Sequence, residues 1–168
     1  MRSASASYTG LALQSRSKRI IALVVLAKVL LAGNGNSWNK IRYSGGTVPA
    51  KVNPYDWNTT LTVTADRITL SFAHSATLRL LPTQVTALSY DEQAYRRVAD
   101  MVALSIVFVN PLVLFGILHR SKSHFIGIEF TDNDGKRGAV LLEADKNNYQ
   151  AILDALQAVT GKRLGDRP

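Results

Sequence analysis

Residues 101–118 read MVALSIVFVNPLVLFGIL, 18 positions in succession without a charge, and strand-like patterns stand on both sides of them. As a straight helix the run would measure about 27 Å, just short of a hydrocarbon core. Asn110-Pro111 interrupts its middle and Gly116 follows. A single crossing of a bilayer would place the two groups of strands on opposite sides, each with a bare edge and an uncovered apolar face. If the strands form one sheet, the run must leave and return on the same side, turning near Asn110-Pro111. It then dips into a bilayer, lies along its surface, or folds over the domain as a buried insertion or dimer seam; a true span is the remaining alternative.

The strand patterns are short and regular. TLTVT at 60–64, RITLSF at 67–72, ATLRL at 76–80 and VTALSY at 85–90 each alternate polar and apolar side chains, with Pro82 and Ala65-Asp66 as punctuation. Tight spacing of this kind reads as an antiparallel meander. Beyond the uncharged run, HFIGIEF at 124–130 and GAVLLE at 138–143 flank Asp132-Asn133-Asp134-Gly135 and read as a hairpin. Residues 34–58 are rich in Gly, Asn, Ser and Pro and read as an irregular lead-in with one short strand at 47–52. The aromatics there, Trp38, Tyr43, Tyr55 and Trp57, either form a ligand platform or pack over the open end of the sheet, and packing is favoured.

The C-terminal pattern is helical. Asp145 suits an N-cap, Tyr149, Ile152, Leu153, Leu156 and Val159 share one face, and Gly161 stops the helix with Lys162 and Arg163 beside its negative end. An amphipathic helix needs an apolar surface to cover, and the sheet supplies it.

Charge separates the chain into two parts. The net charge is +8, yet residues 1–50 hold seven bases and no acid, and the remaining 13 bases nearly balance all 12 acids. A folded part close to neutral lacks the basic face that nucleic acid requires. The basic segment looks like a targeting signal. Arg16, Lys18 and Arg19 precede the 13-residue stretch 20–32, which is apolar except for Lys28 and ends in small residues. It is short for a transmembrane span and fits a cleaved export signal, an uncleaved anchor or an ordinary buried helix. Asn34 stands where a lipoprotein signal would need cysteine, and the chain has no cysteine at all. The expected organisation is a signal or anchor at 1–33, the lead-in at 34–58, a β domain at 59–163 with an apolar insertion at 92–120, and a tail at 164–168.

Catalytic and metal-binding patterns are not evident. His119 and His124 lie five apart, which suits neither helical nor strand ligand spacing, and His74 stands alone; solvated or interfacial histidines are expected. The Asp132–Gly135 turn lacks the acids that an EF-hand needs, since Phe130 and Leu141 occupy those positions. Asp91-Glu92 suit an acid–base pair less well than capping of a segment that begins at Tyr95. No catalytic residue, cofactor or metal is therefore expected. The expected contacts are with lipid: Met101, Val107, Phe108, Val109, Leu112, Leu114, Phe115 and Leu118 with the membrane, and Arg96, Arg97, Arg120 and Lys122 with anionic headgroups.

The order of strands with a final amphipathic helix resembles a pleckstrin-homology-like domain. The segments PAKVNPYDWNTTLTVTADRITLSF, NPLVLFGILHRSKSHFIGIEF and DKNNYQAILDALQAVTG resemble a group of uncharacterised bacterial exported proteins with such a domain, over about residues 38–161. The resemblance implies an α+β fold, an antiparallel β-sheet or barrel closed by the C-terminal helix, with a helical apolar insertion and an N-terminal signal or anchor helix. It also implies a place at membranes and carries no activity with it. The expected function is a non-enzymatic, membrane-associated cell-envelope domain that binds or scaffolds. The alternatives are a soluble exported homodimeric interaction module, with a homo-oligomer or protein partner, and an unrecognised hydrolase.

Overall fold

A computed structural model describes residues 35–50, 52–53, 56–57, 59–75, 77–104 and 123–166, all within the unit Gly35–Pro168. The signal or anchor expected at 1–33 and positions 105–122 lie outside the described residues.

Seven antiparallel strands form one sheet: β1 (Asn36–Gly46), β2 (Thr59–Val63), β3 (Ile68–Phe72), β4 (Thr77–Leu80), β5 (Val85–Tyr90), β6 (His124–Thr131) and β7 (Arg137–Ala144), with helices α1 (Glu92–Leu104) and α2 (Tyr149–Thr160). The sheet order is β4-β3-β2-β1-β7-β6-β5. The fold class is α+β, and the arrangement is compatible with the expected pleckstrin-homology-like one. The strands before and after the uncharged run do belong to one sheet, because β5 pairs with β6 from Val85↔Phe130 to Tyr90↔Ile126.

Three expectations need correction. The lead-in is not irregular throughout: it contains β1, which sits in the middle of the sheet. Asn36 to Ile41 pair with β2, and Ile41 to Gly46 pair with β7, so one bent strand joins two half-sheets. Its register shifts between Trp38 and Ile41 and again between Tyr43 and Gly45 supply the bend. Gly46 allows the close approach at the second shift, since a Cβ there would stand 2.3 Å from the Ala139 carbonyl oxygen. Among the described positions of 47–52 there is no strand.

The meander is also displaced by one strand from the expected one. It runs through β1–β4, and β5 then joins the far edge of the sheet. Laid flat, seven strands put the two edges about 29 Å apart. Only residues 81–84 connect β4 to β5, and they reach at most about 18 Å. The sheet therefore curls, although no ladder joins β4 to β5 among the described residues.

The curl encloses the core. Ile41, Leu61, Leu70, Ile126, Ile128 and Leu142 point inward with Ile152, Leu153 and Leu156 of α2 packed against them. The helix starts later than expected. Asp145 does not cap Tyr149 directly: its carboxylate takes the Asn147 N–H at 2.9 Å and shapes a turn, while its carbonyl takes the Tyr149 N–H at 3.1 Å. Gly161, at φ 68°, ends α2 in the left-handed conformation, as expected. At the β6–β7 turn, one Asp132 carboxylate oxygen accepts the Asp134 and Lys136 N–H groups, and Gly135 takes φ 77°. That is hairpin chemistry, as its sequence indicated.

Candidate functional site

The uncharged run begins inside α1 and ends shortly before β6, so the candidate site is built from those two elements. Asp91 reverses the chain at the end of β5. Its φ of 57° is in the left-handed region, which aspartate tolerates better than most residues. Its N–H donates to the Phe125 carbonyl at 2.7 Å. The helix therefore starts at Glu92, and not at Tyr95 as the sequence suggested. Glu92 faces solvent and pairs with Arg96 one turn on, an exposed pair worth little.

Ala94, Val98 and Val102 recur every fourth residue and place one stripe of α1 on the outer face of the sheet, against Phe125, Ala139 and Leu141. The approach is close because β6 carries Gly127 beneath the helix. A Cβ at Gly127 would lie 3.2 Å from the Ala94 Cβ and 2.4 Å from Ser89 Oγ.

The floor under and beside α1 is partly polar. Arg97 of α1 forms an ion pair with Glu129 of β6, which is 3% exposed. Arg42 of β1 meets Glu143 of β7 at 2.8 Å, and both are buried. Ser123 donates to the other Glu143 oxygen at 2.8 Å. The Arg42 guanidinium lies 4.4 Å from the centre of the Trp57 ring, a cation–π arrangement. Trp57 is 44% exposed. Among the described residues four buried side-chain atoms on this face, Arg42 Nε, Ser44 Oγ, Ser89 Oγ and Glu129 Oε1, have no hydrogen-bond partner, although Glu129 Oε1 faces Arg97 as an ion pair. Such groups lower the stability of the surface that buries them.

Where β6 begins, three rings gather. His124 stacks on Tyr149 with centroids 3.8 Å apart and planes 3° from parallel, and Tyr90 lies 5.7 Å from Tyr149. Tyr90 Oη and His124 Nδ1 share a hydrogen bond of 2.7 Å. Burial raises the Tyr90 pKa, with Tyr149 and Asp91 adding to the effect. Burial likewise raises Tyr95. His124, expected to be solvated or interfacial, is half-buried in this stack. Its partners lie 34 and 25 residues away in sequence, so spacing could not reveal it.

The expected contact residues are placed as follows. Met101 packs against the apolar cluster beneath α1. Arg96 is exposed, while the Arg97 guanidinium is turned into the sheet and engaged by Glu129. Val107, Phe108, Val109, Leu112, Leu114, Phe115, Leu118, Arg120 and Lys122 lie outside the described residues. The described residues include no helix long and apolar enough to cross a membrane and no cluster of three or more metal-ligating side chains.

No family model and no curated protein matches the chain. Among solved structures it is similar to a chain of the structure described as that of the Spt16D Pob3N heterodimer, with a TM-score of 0.45 and 8% sequence identity. That likeness covers 79% of this chain and 54% of the other, so the chain spans about half the length of its structural neighbour. A likeness of this degree bears on neither site nor activity.

Proposed function

We propose that this chain is a non-enzymatic, membrane-associated domain of the cell envelope, pleckstrin-homology-like in fold, that binds or scaffolds at a bilayer through residues 96–122. One observation carries the reading. The uncharged run is flanked by α1 and β6, and both belong to one body: α1 packs on β6, β7 and β5, and β6 pairs with β5. A run whose two ends are held on one sheet cannot make a single crossing, and an uncharged stretch this long has few soluble surroundings. The titratable side chains of the site point to structure and not to turnover. Glu92, Glu129 and Glu143 are each engaged by an arginine, and His124 is stacked on Tyr149 and hydrogen-bonded to Tyr90.

Flotation of the full chain with phosphatidylcholine–phosphatidylglycerol vesicles tests the reading. Wild type is compared with a Phe108→Glu/Phe115→Glu variant and with a Leu23→Arg/Val25→Arg variant. The reading expects the first pair to lose flotation while circular dichroism stays native. Loss only with the second pair places attachment in the N-terminal stretch and overturns it. A clean detergent-free dimer that ignores vesicles favours the homodimeric module.

A further inference from the structure

α1 is held from two sides. Below it lie the Ala94–Val98–Val102 stripe and the Arg97–Glu129 pair. Beside it, along the β5 edge of the sheet, passes the chain that follows α2. From Gly161 the backbone turns back toward the edge of the sheet. Leu164 makes a parallel bridge with Leu88 of β5, and the Gly165 N–H donates to the Leu88 carbonyl at 3.0 Å. The Asp166 carbonyl accepts Arg97 Nη1 at 2.9 Å. The Asp166 carboxylate accepts the Arg163 N–H at 3.1 Å and closes the strap on itself. Gly165, at φ 84°, rests against the Gln93 side chain in the first turn of α1.

Arg97 thus joins three layers: its Nε faces Glu129 of the sheet and its Nη1 faces the strap. We propose that residues 161–166 form a latch: seated, the strap keeps α1 on the sheet; released, it frees α1. Two features make this a latch and not permanent packing. Among the described residues its hold on β5 is a single bridge, and Leu164 is 38% exposed, which is the pattern of a segment that opens at low free-energy cost. The seat beneath α1 is also imperfect, because Ser89 Oγ is buried there without a partner and Glu129 depends on Arg97 for its counter-charge. With the strap gone, water reaches Arg97 and the ion pair weakens.

The consequence for vesicle binding rests on the membrane reading above; the latch itself does not. Amide hydrogen exchange is measured on the full chain carrying Gly165→Pro, which removes the donor to Leu88 and cannot adopt the positive φ. Leu164→Ala is a milder release, and Gly165→Asn retains both the N–H and the left-handed backbone. Exchange of the α1 amides is expected to accelerate about tenfold or more in the Pro variant and by less in the Ala variant, with α2, β2 and β3 unchanged and the Asn variant like wild type. Unchanged α1 exchange, or uniform acceleration of all elements, overturns the latch. Flotation of the same variants decides its use: a rise with release supports control of membrane binding, and no change despite faster α1 exchange overturns it. If neither wild type nor any variant floats, the membrane reading fails while the exchange data still decide the latch.

Discussion

Arg42 and Glu143 face each other across β1 and β7 in register, guanidinium to carboxylate at 2.8 Å, on the outer face of the sheet. Both are largely buried, at 7% exposure each. Removing one partner of such a pair costs more than the pair itself contributes, because the other charge stays buried. Glu143→Leu is expected to lower stability by about 3–5 kcal/mol. Arg42→Leu/Glu143→Leu should lose much less, because no charge is stranded. Urea unfolding of the four-member cycle checks this, and additive single-site losses would show that the two side chains do not interact.

That pair also shows why β1 was hard to read. Ile41 and Tyr43 point into the core while Arg42 and Ser44 point outward, so the alternation of a strand is present. Buried polar residues on the outer face and Gly45-Gly46 at the end made the segment look like a loop. The other strands of β2–β7 were legible because one face of each is apolar and their turns carry turn residues. Alternation reports which face a residue is on, but not which strand is its neighbour, so the move of β5 to the far edge was hidden. The same limit applies to the site. Arg97 was visible as a base beside the uncharged run, but its partners Glu129 and Asp166 come from elements that only the fold brings together.

Tyr43 should make the fold sensitive to alkali. Its ring packs edge-on against Phe72 with centroids 5.0 Å apart, and its hydroxyl donates to the Val48 carbonyl at 2.8 Å. Burial pushes its pKa far above the ordinary 10.0, with the hydrogen bond to Val48 opposing part of the rise. An unfolded chain releases this proton near pH 10 and the folded one keeps it. The contribution is therefore complete at neutral pH and falls as pH climbs past about 10, by up to about 1.4 kcal/mol per pH unit. Tyr90 and Tyr95 are shifted in the same direction. Tyr43→Phe should lower neutral stability by about 1 kcal/mol and flatten the decline between pH 10 and pH 11. Parallel stability curves for the two proteins would refute the assignment.

The C-terminal helix α2 should be needed for the fold. Leu156 is fully buried among the inward side chains of the sheet. Leu156→Ala is expected to cost about 2–5 kcal/mol, depending on how far the cavity relaxes. Gly161→Ala, placed at φ 68° with nothing within 4 Å of the added methyl, should cost only about 1 kcal/mol from backbone strain. Thermal unfolding by circular dichroism separates the two effects. A cost for Gly161→Ala equal to that of Leu156→Ala would mean that the C-cap carries more than its geometry indicates.

Gly127 sets how closely α1 lies on the sheet. In most strands alanine is better than glycine, because glycine adds entropy to the unfolded chain. Here the added methyl would meet Ser89 Oγ at 2.4 Å and the Ala94 Cβ at 3.2 Å, so the helix or the serine must move. Gly127→Ala is expected to destabilise by about 1–3 kcal/mol, with faster amide exchange in α1 and little change in α2. Ser89→Ala alone should be neutral or mildly stabilising, since Ser89 Oγ is buried without a partner and its removal strands no group. Combining the two removes the nearer clash and leaves the Ala94 contact, so the double variant should recover part of the loss. Gly127→Ala with wild-type stability and unchanged α1 exchange would mean that the helix does not pack this closely. The latch would then have less to hold in place.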